Sequence, residues 1–309
     1  MASGTVRAFG ALVVLPLAMT LPAGVASRSP SARDRAMQAA EYIRAYDAAL
    51  VEVVGEERYE QRSEERTGHR TTGRLEQRTR STIGWVKLPG LHDSVAVREV
   101  VELNGVNVQD SPRLQQMLQA PADRLKEHLK DLLNESAAYN LAPGSRNINF
   151  PTFPIMYLRR GHLDRSRWVV DEIGGSDSER VVVISFEEQR SPAIVRSESK
   201  EDLPGRGRFW LDATTGRVER AEVQIRSIAS APTMPGVRSV PSAGRSGIEM
   251  SYQLNVTFSA DERLDLWLPS RMEDVYERSA ADSYVRVDGE ATYSKYRRFE
   301  TGGRVVDTP

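Results

Sequence analysis

The chain has no cysteine, so no disulfide framework holds it together and no thiol can serve as nucleophile or metal ligand. The residue that a lipoprotein leader would acylate at its cleavage site is missing for the same reason. Histidine is scarce: His69, His92, His128 and His162 stand far apart, and a zinc site needs three or four converging ligands. No metal and no cofactor is therefore expected. Neither charge sign dominates, with 42 Lys and Arg against 43 Asp and Glu, interspersed rather than in blocks. Without a net basic face, nucleic acid is disfavoured as a partner. Phosphate-cradling glycine loops and the G-x-S-x-G elbow are absent too. Beyond the first two dozen residues no apolar run is long enough to cross a bilayer.

The N-terminus carries Arg7, an apolar run from Ala8 to Leu21, and small residues at Gly24 and Ala26 before a polar stretch. That is the three-part layout of a secretory signal peptide, cut near Ala26. Pro16 and Pro22 shorten the run below the roughly 20 residues of a spanning helix. The expected organisation is a leader over 1–26 and a single domain over 27–309, acting in the periplasm or outside the cell.

Ser31 to Leu50 reads as a helix, with Ser31 as N-cap and Ala36, Ala39, Ala40, Ile43, Tyr46 and Leu50 at helical spacing. Strands are expected over Val51–Gln61 and Arg74–Leu88, joined by a turn through Thr67 to Gly73. A third spans Val95 to Leu103 and ends on Asn104-Gly105. A second helix starts at Ser111 and Pro112, with Pro121 breaking or restarting it, and carries the stripe Leu125, Leu129, Leu132 and Leu133.

After a Pro/Gly/Asn-rich crossing from Pro143 to Pro154, strand signals dominate. They cover Arg167–Ile173, Arg180–Glu188, Ala193–Ser199, Gly207–Asp212, Arg217–Arg226, Gly247–Ser259, Arg271–Arg278, and Tyr284–Phe299 folded at Asp288-Gly289. In the sixth of these, Ile248, Met250, Tyr252, Leu254, Val256 and Phe258 face one way and polar residues the other. A Ser/Pro/Gly/Ala-rich loop over 227–247 is expected to be flexible.

The segment Phe209-Trp-Leu-Asp-Ala-Thr-Thr-Gly-Arg-Val218 is a strand, a turn and a return strand. It resembles the hairpin of the LolA/LolB-like superfamily of outer-membrane lipoprotein carriers and of the similar N-terminal domain of the sigma-factor regulator RseB. Leu203 to Trp210 is also similar to exported bacterial proteins of unassigned function. The resemblance implies an α+β fold: a large, curved, mostly antiparallel sheet, a half-barrel, wrapped around one or two helices. It further implies an apolar cavity that shields acyl chains. The matching ligand-binding positions are Leu125, Leu129, Leu132 and Leu133 on the helix and Met250, Tyr252, Leu254, Val256 and Phe258 on the strand.

Catalytic readings find little support. Ser197 and Lys200 have S-x-x-K spacing in a strand-to-loop context, without the motifs that accompany it. The acidic pairs Glu56-Glu57, Glu64-Glu65, Glu187-Glu188 and Asp261-Glu262 read as surface charge before they read as a glycosidase pair. His162 and Asp164, among Arg159, Arg160, Arg165 and Arg167, read as a solvated turn before an anion site. Trp85, Trp168, Trp210 and Trp267 read as core. The expectation is a non-enzymatic periplasmic binding protein whose partner is lipid or lipoprotein cargo, or an envelope protein. The alternatives are an envelope scaffold with a packed interior and a secreted hydrolase.

Overall fold

The computed structural model describes residues 29–51, 53–87, 94–109, 113–114, 122–141, 148–174, 181–197, 199–230, 247–300 and 304–305. The expected leader therefore lies outside the described residues. So do Ser111, Pro112, Pro121 and residues 142–147 of the crossing.

Helix α1 (Ala32–Leu50) begins where the sequence places it. The Ser31 hydroxyl accepts from the Asp34 N–H while the Asp34 carboxylate accepts from the Ser31 N–H, so two orphan donors of the first turn are satisfied reciprocally. Four strands follow: β1 (Val53–Thr67), β2 (Arg70–Lys87), β3 (Ser94–Leu103) and β4 (Val106–Asn107). Helix α2 spans Ala122–Ala138, and 3-10 turns cover Pro154–Leu158 and Leu163–Arg165. Then come β5 (Ser166–Gly174), β6 (Val181–Glu188), β7 (Gly205–Asp212), β8 (Val218–Ser230), β9 (Gly247–Asp261), β10 (Leu266–Ala280), β11 (Ser283–Glu300) and β12 (Arg304–Val305).

All neighbouring strands are antiparallel, in the order β4-β3-β2-β1-β11-β10-β9-β8-β7-β6-β5, with β12 beside β11. The expected half-barrel is corrected by this topology. The sheet is one open path whose end strands β4 and β5 do not pair, and it is not curved or closed into a barrel. Element lengths supply the reason. The longest strands, β2 and β11, have 18 residues each, about 60 Å at the usual strand rise. Helices of 19 and 17 residues span only about 28 Å. Two such helices cover only part of one face and supply too little packing to fill the hollow of a curled sheet of this size. The β1–β2 tip, including Leu75, is accordingly exposed.

Three local expectations also change. Tyr284–Phe299 is not folded at Asp288-Gly289: β11 runs straight through, with Gly289 opposite Gln61 on one side and Asp274 on the other. Ala193–Ser199 forms no strand, because it satisfies its backbone locally, with Leu203 N–H donating to Val195 C=O at 3.0 Å and Ser197 N–H to Glu201 C=O at 2.9 Å. The first hairpin is tighter than expected, turning at Gly68 and His69, with Gly68 at φ +58°. Strand β8 extends to Ser230, opposite Gly247 of β9, so 231–246 is the part of the expected loop outside the described residues.

The main core lies on the dry face. It joins Ala36, Ala39, Ile43 and Leu50 of α1 to Ile155, Tyr157 and Leu158 of the 3-10 turn and to inward residues of β5–β11. A smaller cluster under α2 holds Val86, Val97, Leu114, Leu129 and Leu132.

Candidate functional site

The residues expected to line a cavity divide between the two clusters. On β9, Tyr252, Leu254, Val256 and Phe258 are buried in the main core, and Met250 packs against it half-buried. On α2, Leu129 and Leu132 belong to the smaller cluster, and Leu133 touches both. The side chain of Leu125 lies outside the described residues. Among the described residues the two sets thus sit in separate clusters, with Leu133 touching both and Tyr46 of α1 packed on Phe258 of the β9 row.

One cleft opens at the surface beside Tyr46, which packs on Phe258 at the end of that row. It has a volume of about 580 Å³ and lies between Tyr42, Ala45, Tyr46 and Ala49 of α1, Thr215 and Arg217 of the β7–β8 turn, and Ala260 to Trp267 around the β9–β10 turn. Its lining is mostly apolar. Tyr42 stacks on Tyr46, with ring centroids 5.8 Å apart, and Tyr46 meets Phe258 edge-on at 6.5 Å. The Arg217 guanidinium lies 3.9 Å over the Trp267 ring. Tyr46 is 3% exposed, and its hydroxyl has no hydrogen-bond partner among the described residues. Burial pushes the Tyr42 phenol up to about 12, against the pull of Arg217.

The hairpin that carries the family resemblance turns out to be a docking element for α1. Asp212 accepts from the N–H groups of Thr214 (2.9 Å) and Thr215 (2.7 Å). Burial works against this carboxylate, but the Thr215 and Thr214 donors and Arg217 hold it below its ordinary value. Arg35 and Gln38 of α1 donate to the carbonyls of Ala213 and Thr214, both at 2.6 Å. Gly216, at φ +73°, lies so close that a Cβ would sit 2.8 Å from the Gln38 backbone. The same turn supplies Thr215 and Arg217 to the cleft.

The arginine-rich stretch also serves α1. Arg159 pairs with Asp47 at 3.1 Å and donates to Ser94 C=O at 3.2 Å. Arg160 meets Glu41 at 2.9 Å, and Asp164 meets Arg33. His162 Nδ1 lies 2.8 Å from Met156 C=O.

Two of the four acidic pairs read as surface charge put one member inside. Glu57 is 0% exposed and is held by Arg98, 2% exposed, and by the Tyr293 hydroxyl at 2.9 Å. Arg98 also donates to Asn149 C=O at 2.8 Å and lies over the Tyr59 and Phe150 rings. Burial alone would lower the Arg98 pKa, and Glu57 beside it reverses that. Glu188 accepts from Ile194 N–H (2.8 Å) and Gly205 N–H (3.1 Å), pinning the segment after β6.

Ser197 and Lys200 close a turn, with Lys200 N–H donating to Ser197 C=O and Lys200 at φ +65°. Ser197 Oγ is shared with Ser199 Oγ and Glu201 N–H. Trp85 is core, donating to Thr152 Oγ1 at 3.0 Å, and Trp168 continues a ring stack through Phe186 and Phe209. Among the described residues, no three His, Asp or Glu converge as metal ligands, and no helix is long and apolar enough to cross a membrane.

Sequence reasoning missed the cleft and the Glu57–Arg98 pair. The one usable signal for the cleft was the run of small residues Ala45, Ala48 and Ala49 on α1.

No protein-family model and no curated protein matches the chain. Solved structures do. An outer membrane lipoprotein-sorting-type domain from Vibrio parahaemolyticus is 10% identical over 87% of this chain and 94% of its own, with a TM-score of 0.34. A DUF1329 family protein from Desulfovibrio piger is 13% identical over 88% and 95%, with a TM-score of 0.32. A LolA superfamily protein from Nitrosomonas europaea is 12% identical over 84% and 93%, with a TM-score of 0.27. These are remote structural likenesses, LolA-type proteins among them, and at such TM-scores they decide nothing about family, ligand or site.

Proposed function

We propose that this is an exported, non-catalytic binding protein of the cell envelope that takes an apolar chain, such as the acyl group of a lipid or lipoprotein, on the dry side of its sheet. The observation that carries this reading is the cleft of about 580 Å³ over Tyr42, Tyr46 and Trp267, within the size range of small-ligand sites. An acyl chain entering there meets Tyr46 and, behind it, Phe258, the first of the row Phe258, Val256, Leu254, Tyr252 and Met250. Leu125, Leu129, Leu132 and Leu133 are the corresponding positions on α2. Each buried methylene contributes about 0.8 kcal/mol, so affinity requires no catalytic group. The row is closed by packed side chains, so a chain reaching it must displace Tyr46.

Native mass spectrometry with lipid extraction, on protein purified from its own envelope, tests the reading. A bound lipid is expected, and Ala45→Trp or Ala49→Trp, which fill the cleft, should remove it while leaving the fold intact. A folded protein that arrives empty and takes up no added palmitate or lysophospholipid would sink the proposal.

A second reading, an envelope scaffold with a packed interior, is favoured by Leu254 and Val256, each only 1% exposed. It predicts the empty outcome together with a co-purifying envelope protein.

A further inference from the structure

Strand β5 ends the sheet opposite β4, and among the described residues its only strand partner is β6. Two of its apolar side chains, Val169 and Ile173, are 41% and 53% exposed. A free edge of this kind is a template for another strand.

The order of side chains on this edge identifies what fits it. Arg167 and Val169 stand opposite Glu187 and Ser185 on the wet face, and there the Asp171 carboxylate accepts from Ser185 Oγ at 2.9 Å. Trp168 and Val170 stand opposite Phe186 and Ile184 and pack against the core. The edge therefore reads cation, apolar, anion on the wet face and apolar, apolar on the dry face.

Consider a second copy added antiparallel about a two-fold axis perpendicular to the sheet, the arrangement that keeps wet face beside wet face. Because side chains alternate, such an axis must pass where a residue faces itself. An axis at Trp168 sets Arg167 against Val169. An axis at Val170 sets Val169 against Asp171 and Trp168 against Glu172. An axis at Val169 sets Val169 against itself, Trp168 against Val170 twice, and Arg167 against Asp171 twice. Of these three, only the last matches apolar with apolar and cation with anion from Arg167 to Asp171, the pairs that stabilise neighbouring strands.

We propose that β5 pairs with β5 of a second copy about a two-fold axis at Val169, joining two sheets into one. Arg167, already 3.2 Å from Glu187, then has a carboxylate on each side: its own Glu187 and the partner's Asp171. The bulge between Val170 and Glu172 ends the regular stretch, so the contact is short and the dimer weak, below the area of standard interfaces.

Sedimentation equilibrium of the purified exported chain from about 1 µM to about 1 mM, at low salt, reads the association. A reversible monomer–dimer equilibrium is expected. Arg167→Asp alone or Asp171→Arg alone should weaken it about tenfold, since two attractive pairs become repulsive. The double variant Arg167→Asp/Asp171→Arg should restore it, and Val169→Lys should abolish it. All three positions are exposed on the edge strand, and circular dichroism verifies the fold of each variant. Three results overturn the proposal: a monomer at every concentration, a dimer indifferent to these changes, or single-variant losses that the double variant does not repair. Capture of an extended peptide by a chain that does not self-associate would assign the edge to another partner and overturn it as well.

Discussion

Arg98 on β3 and Glu57 on β1 meet across β2, sealed from solvent, with the guanidinium donating to both carboxylate oxygens. A buried pair of this sort adds little over apolar packing, but removing one member leaves an uncompensated charge inside. Arg98→Met is therefore expected to cost about 3–5 kcal/mol in urea unfolding. Glu57→Leu/Arg98→Met should recover much of that loss. If the double variant were as unstable as the single, the pair would be acting through something other than its charge.

Gly289 and Gly68 separate two reasons for a glycine. At Gly289 a Cβ would stand 2.6 Å from the Tyr59 hydroxyl and closer still to the Asp274 carboxylate. At Gly68 nothing lies within 4 Å, and only φ +58° requires glycine. Gly289→Ala should cost about 1–3 kcal/mol through overpacking, and Gly68→Asn, which tolerates that conformation, well under 1 kcal/mol. Equal losses in thermal unfolding would contradict this assignment.

Alkaline titration should find most of the core tyrosines silent. Burial raises the phenol of Tyr42 to about 12 and holds Tyr46, Tyr157, Tyr293 and Tyr296 above their ordinary value of 10.0. A raised folded-state pKa stabilises the fold fully below pH 10, and that contribution disappears as pH climbs through the folded value. Absorbance at 295 nm should thus rise little as pH passes 10 and mainly above it, together with loss of tertiary circular dichroism. One smooth transition near pH 10 with the fold retained would contradict the buried placement.

Asp212 makes the opposite prediction at acid pH. Its pKa is held below 3.8, so its contribution is complete above about pH 4 and fades as pH falls through the folded value. Asp212→Ala should cost about 1–2 kcal/mol by freeing the Thr214 and Thr215 N–H groups. It should also flatten the acid limb of the stability profile. An unchanged acid limb would remove Asp212 from the account.

What the sequence made legible was whatever one segment decides by itself. The N-cap at Ser31, the alternation of β9 and the Asn104-Gly105 turn are local patterns, and each forms as read. The inner face of β1 was not legible. Glu57, Tyr59 and Gln61 alternate with Glu56, Arg58 and Glu60, so both faces are polar and nothing marks which is buried. The partner that makes Glu57 tolerable inside is 41 residues away. Asp288-Gly289 read as a turn because the close approach of Tyr59 and Asp274 comes from two other strands. The cleft escaped for a related reason: its walls come from α1 and two distant turns.

The pairing of β1 with β11 has a consequence for how the molecule is made. These strands lie side by side at the middle of the sheet, and Tyr293 on one bonds to Glu57 on the other across 236 positions of chain. Ribosomes deliver β1 first, so its edge toward β11 stays bare, and Glu57 lacks the Tyr293 hydroxyl, until β11 has emerged. The nascent chain cannot mature piecemeal. Closing that pair is a long-range event, slow by the rule that distant contacts must first pay for closing their loops, and anything that guards the unfinished chain must hold it until β11 arrives.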